Sequence, residues 1–195
     1  MTDQTSRIAP LAPPYDPDIE AALSKWMPPG SPIEPLRLFR TLVVHDTLAS
    51  RMRPLGAGIL GPAATVPAPL REVMIHRTCA LTAAEYEWGV HVTGFGRPLG
   101  LSEEQLHSTV HGSFSDPCWD PEQSSVFQLA DELHETSTVS ENLWRSLSSH
   151  FDAPQILELL VTGGWYHVIS YVCNGLRLPP EEWAERFPSK RNGDG

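Results

Sequence analysis

No run of four to eight residues in this chain alternates apolar and polar side chains, the pattern of a half-buried strand. Apolar residues recur instead at helical spacing. Leu36, Leu38, Phe39, Leu42, Val43, Leu48 and Met52 form one such stripe, and Ile156, Leu159, Leu160, Trp165, Ile169, Val172 and Leu176 form another. Helix-start signals punctuate the chain. Asp16–Pro17 and Asp120–Pro121 each offer a cap followed by proline at the first helical position, and Ser102, Ser140 and Asp152 are further caps. The expected fold is all-α, a compact bundle of helices joined by short loops.

The expected helices cover about 18–27, 34–53, 70–80, 83–95, 102–111, 121–135, 140–150 and 152–176. Residues 1–16, with Pro10, Pro13 and Pro14, read as an extended arm. Residues 54–69 are rich in Gly, Pro and Ala and read as a connection holding at most a short helical piece. A turn is expected over 181–187, with a disordered tail from Ser189. The division that follows is an arm and short helix over 1–33, one domain over 34–187, and a tail over 188–195.

The segment Leu70–His91 holds the densest mixture of ionisable and aromatic groups in an apolar setting. Glu87 and His91, four residues apart, share one face of a helix. Glu72 lies fifteen residues before Glu87. On an unbroken helix these acids are about 22 Å apart, too far to share a site. A break is therefore required. Thr82 and Glu85 have the spacing of a capping box, which starts a new helix at Ala83 and lets Glu72, Glu87 and His91 converge.

This region resembles the carboxymuconolactone decarboxylase family, which includes the AhpD-like alkylhydroperoxidases. The likeness rests on Leu70, Arg71 and Glu72 before an aliphatic helix, on Ala83 through His91, and on Gly100 through Leu106. Segments Ala130–His134 and Gly164–His167 extend it over about residues 34–187. Redox-active relatives carry the pattern E-x(11)-C-x-x-C-x-x-x-H. Aligned on Glu72 and His91, its cysteine positions fall on Ala84 and Glu87. Thiol–disulfide exchange needs sulfur at those positions. The resemblance then implies acid–base chemistry with no cofactor and no metal, on a small organic acid, lactone or carbonyl compound. Decarboxylation is the expected reaction, with Glu87 and His91 transferring protons and Glu72 as a relay. It also implies a homo-oligomer, trimer or hexamer.

Tyr86, Trp88 and His167 are candidate substrate contacts, His167 by lining a pocket with His91. Two alternatives remain: a thiol peroxidase acting through Cys79, and an oligomeric small-molecule-binding protein without turnover. The bland reading of Glu87 and His91 is a surface ion pair worth a few tenths of a kcal/mol, but Tyr86, Trp88 and Val90 mark the segment as buried. His107 and His111 have ligand spacing, yet Ser108 stands where a zincin has glutamate.

The net charge of −10, from 24 acidic against 14 basic residues, argues against a nucleic-acid or anionic-membrane surface. Three cysteines without a C-x-x-C argue against a disulfide framework. The first ten residues lack the apolar core of a signal peptide, and no stretch reads as a membrane span, so a cytoplasmic protein is expected.

Overall fold

The computed structural model describes residues 6–28 and 30–191. Among these residues the regular structure is helical throughout, with no strand. The helices are α1 (Pro17–Ser24), α2 (Arg37–Leu42), α3 (Asp46–Leu60), α4 (Ala68–Leu81), α5 (Glu85–His91), α6 (Glu103–His111), α7 (Pro121–Thr136), α8 (Glu141–His150) and α9 (Ala153–Leu176). A 3₁₀ turn (Val43–His45) joins α2 to α3, and a π-helical turn (Val92–Gly96) continues α5.

Local chemistry sets most starts. The side chains of Ser102, Asp120, Ser140 and Asp152 each accept a bond from the amide three residues on. Two expected element boundaries along 34–69 need correction. The stripe over 34–53 is not one helix: it breaks at His45, whose φ of −119° and ψ of 73° leave the helical region. Beyond the break α3 runs through Pro54 to Leu60, across the stretch read as a connection. Pro54 withholds one amide from the helix, but the residue four earlier, Ser50, is exposed, so water can reach its carbonyl.

The break between α4 and α5 exists, but Thr82 does not make it by capping. Thr82 ends α4, its hydroxyl lying 2.8 Å from the Thr78 carbonyl. The Ala84 amide donates to the Cys79 carbonyl and the Ala83 amide to the Ala80 carbonyl. That pair of bonds is a Schellman motif, with Ala83 at φ +52° in the left-handed position that glycine usually fills. Glu85 is free of capping and binds Arg186 and the Phe187 amide.

Helix α4 is the axis of the molecule, packed by α5, α6, α7 and α9. It is buried nearly all round, so Arg71, Glu72 and His76 are taken inside with Val73, Met74 and Ile75. A charge in such a place is tolerated only with partners. Helix α9 is long and apolar enough to cross a membrane by length and composition, which corrects the reading of no such stretch; half of it is buried against the bundle.

From residue 6 to Asp16 the N-terminal arm is irregular, with bends at 7–8 and 13–14, and is tied by the Arg7 amide to the Leu176 carbonyl and by the Leu11 amide to the Arg40 carbonyl. The expected turn near the C-terminus is present around residues 182–184. The disordered tail expected from Ser189 lies, beyond residue 191, outside the described residues.

Candidate active site

Three helices meet at His91. Glu72 comes from the second turn of α4, Glu87 and His91 from the two ends of one turn of α5, and Tyr166 from the buried face of α9. His91 is the last residue of α5, where the backbone widens into the π-helical turn, a feature frequent at functional sites. Phe95, on that turn, stacks on the His91 ring at 5.0 Å, and Tyr166 meets the same ring edge-on.

His91 Nδ1 lies 2.8 Å from Glu72 Oε2, which fixes a proton on Nδ1 and orients the ring. Its Nε2 lies 3.0 Å from the Tyr166 hydroxyl and 3.5 Å from Glu87 Oε1. Arg71 Nε stands 3.7 Å from Glu72 Oε1, and His76 Nε2 3.9 Å from Glu72 Oε2. Among the described residues neither His76 nitrogen has a hydrogen-bond partner. A Cβ on Gly96 would sit 2.7 Å from His76 Cε1, so glycine there makes room for that ring.

The electrostatics sort the two imidazoles. Burial works against a charge on His91, but the Glu72 carboxylate, its hydrogen bond and Glu87 outweigh it, raising the pKa to about 9. Burial dominates at His76; Glu72 offsets it only in part, and the pKa falls to about 4. For Glu72, burial raises the pKa, yet His91, His76 and Arg71 together lower it. At neutral pH the site therefore holds an imidazolium at His91, a carboxylate at Glu72 and a neutral His76. Burial, then Glu87 and Glu72, hold the Tyr166 hydroxyl protonated.

A cavity of about 560 Å³ opens beside this cluster, lined by Glu87, His91 and Tyr166 together with Trp26, Phe39, Phe95, Trp165 and Trp183. Glu72 is not on its wall; it stands behind His91. The site brings Glu72, Glu87 and His91 together, but the remaining candidates fall elsewhere. Tyr86 is buried and donates to Glu181 Oε1 at 2.6 Å, away from the cavity. Trp88 packs in the core against Phe187 and donates to Thr109. His167 does not line a pocket with His91. It pairs with His134 at 3.1 Å in a separate cavity of about 510 Å³.

Tyr166 went unpredicted although its phase was readable. Thr162, Tyr166, Ile169, Ser170 and Cys173 recur at helical spacing on the buried face of α9, and His167 is a step of about 100° off it. Cys79 is wholly buried, and burial pushes its thiol well above its ordinary pKa, the opposite of what a reactive thiol needs. Burial does the same at Cys173. Among the described residues no group of three or more His, Cys, Asp or Glu side chains is arranged to hold a metal ion.

Solved structures share this architecture. A peroxidase-related protein from Silicibacter sp. TM1040 superimposes with a TM-score of 0.74 at 14% identity, over 93% of this chain and 96% of that one. The debrominase Bmp8, as a cysteine-to-alanine variant with 2,3,4-tribromopyrrole bound, gives 0.73 at 10% identity, over 92% and 94%. A protein of unknown function from Agrobacterium tumefaciens, described in terms of AhpD and antioxidant defence, gives 0.65 at 13% identity, over 72% and 94%. No family model matches the sequence, and no curated protein matches it. At these identities the likeness is one of fold.

Proposed function

We propose that this chain, whose fold is that of the AhpD-like proteins, is an acid–base enzyme that delivers a proton from His91 to a small organic acid, lactone or carbonyl compound. The observation that carries the reading is the buried array in which Glu72 holds Nδ1 of His91 while Nε2 is directed to Tyr166 and Glu87 on the cavity wall. The peroxidase reading has weaker support, because the cysteine positions of redox relatives fall on Ala84 and Glu87 and the nearby thiols are buried.

Decarboxylation is the reaction that fits best. Loss of CO2 leaves the bonding electron pair on carbon, delocalised into a neighbouring carbonyl as an enolate. The imidazolium of His91 gives its Nε2 proton to that carbon, and water restores it. Glu72 acts as a positioning residue, fixing the tautomer and stabilising the charged ring. Glu87, which shares the cavity wall, directs the Nε2 proton and contacts the ligand. A histidine with a pKa of about 9 is a reluctant acid toward water but a competent one toward an enolate carbon.

The test is CO2 release and deuterium incorporation in D2O from a panel of keto acids and lactone carboxylic acids, carboxymuconolactone among them. His91→Asn is expected to lower turnover by about 10²–10⁴-fold while circular dichroism stays helical. Undiminished turnover in that variant removes His91 from the mechanism.

A further inference from the structure

The cavity beside His91 has two chemically different ends. Its buried end carries Glu87, only 6% exposed, whose Oε2 has no hydrogen-bond partner among the described residues. A buried carboxylate oxygen without a donor costs about 1–3 kcal/mol or more. Its neighbour Oε1 faces His91, and Glu87 itself stands on the cavity wall, the acidic group that a donor on a ligand would meet.

The solvent end carries exposed Lys25 and half-buried Arg53. Among the described residues neither side chain makes a hydrogen bond or ion pair. Both cationic heads therefore stand at the cavity mouth without a carboxylate of the described residues against them. Between the ends the walls are flat rings, with Phe95 stacked on His91 and Trp26 on Phe39.

We infer that the cavity takes a flat aromatic or conjugated acid. A hydroxyl or ring N–H at its inner end donates to the Glu87 carboxylate, its ring lies among the aromatic walls, and its carboxylate meets Arg53 and Lys25 at the mouth. That carboxylate anchors the ligand and is not the group that reacts at His91. The inference rests on the reading of this cavity as the substrate site.

The test compares three probes by tryptophan fluorescence quenching and calorimetry: 4-hydroxybenzoate, p-cresol, which lacks the carboxylate, and benzoate, which lacks the donor. 4-Hydroxybenzoate is expected to bind about tenfold tighter than either. The double variant Lys25→Gln with Arg53→Gln abolishes its advantage over p-cresol, and Glu87→Gln shrinks its advantage over benzoate. Raising ionic strength weakens 4-hydroxybenzoate and leaves p-cresol unchanged. Equal affinity for the three probes, no binding of 4-hydroxybenzoate, or an advantage over p-cresol that survives the double variant overturns the inference. Failure here is separable from failure of the catalytic reading. Selective binding without turnover of any acid sinks the catalysis alone. His91-dependent turnover of a keto acid without selective aromatic binding sinks the ligand class alone.

Discussion

Two buried imidazoles one helix apart, His76 and His91, are driven in opposite directions, and the consequence is a stability that depends on pH from both sides. The His91 pKa rises from 6.5 to about 9, so its contribution is complete below pH 6.5 and is lost as pH climbs through 9. At about 1.4 kcal/mol per unit, that loss is on the order of 3 kcal/mol. The His76 pKa falls from 6.5 to about 4. Below pH 6.5 the unfolded chain takes a proton that the folded one refuses, so stability falls again toward pH 4. Glu72, lowered by His91, His76 and Arg71 against the pull of burial, adds to that acid-side loss below its ordinary 4.5. Urea midpoints measured across pH 4–10 should peak near 6.5. His91→Asn should flatten the alkaline side, and His76→Gln the acid side; a profile unchanged in His91→Asn contradicts the assignment. Cys79 belongs to the same scale. Buried and held as a thiol, it has no part in proton transfer, so Cys79→Ala should leave turnover intact while lowering the melting temperature through lost packing. Loss of turnover with the fold retained would revive the thiol reading.

At the scale of helices, how much was readable depends on how local the cause is. The caps at Ser102, Asp120, Ser140 and Asp152 were legible because each side chain bonds an amide three residues away. The end of α4 was legible as a necessity, since Glu72 and Glu87 could not otherwise meet, but not in its chemistry. Alanine rarely holds the left-handed position that Ala83 takes, and the compensation comes from tertiary packing, including Thr82 and Ser170 at 2.9 Å. Tyr166 and His167 show the same limit, because phase on α9, not side-chain chemistry, decides which one meets His91. The roles of the two acids also exchanged. Sequence spacing paired His91 with Glu87, its helical neighbour, whereas the shorter contact, 2.8 Å against 3.5 Å, goes to Glu72 on another helix. The prediction that follows concerns α4. Glu72→Gln retains a hydrogen-bond acceptor but removes the charge that raises the His91 pKa. The alkaline limb of kcat/KM, expected near pH 9, should move toward neutrality, with turnover lowered about 10²-fold. Replacement of Glu87 alone should act chiefly on KM. A limb that stays near pH 9 in Glu72→Gln means that Glu72 does not govern the proton on His91.

Across the whole molecule the segment after α9 connects the cavity to the bundle, and nothing in its own residues foretold this. Glu181 accepts from the Tyr86 hydroxyl and the Arg37 amide, each at 2.6 Å, and pairs with the Arg37 guanidinium, so one carboxylate joins α2, α5 and the C-terminal segment. Tyr86 looked like a ligand contact because its partner lies 95 residues away. The segment then crosses α5 at Gly89, where an added Cβ would lie 2.0 Å from the Glu185 carbonyl oxygen. Between these two fastenings Trp183 reaches the cavity wall. Glu181→Ala leaves Tyr86 without its acceptor and should cost about 2 kcal/mol. Gly89→Ala forces the crossing apart and should cost as much or more, within the range for overpacking. Because both changes release the same strap, the double variant should cost less than the sum. Each should raise KM more than it lowers kcat, since the cavity loses a wall while Glu72, His91 and Tyr166 stay on helices. Additive costs in denaturant melts, or a fall in kcat at unchanged KM, would mean that the segment does not act as one strap over the site.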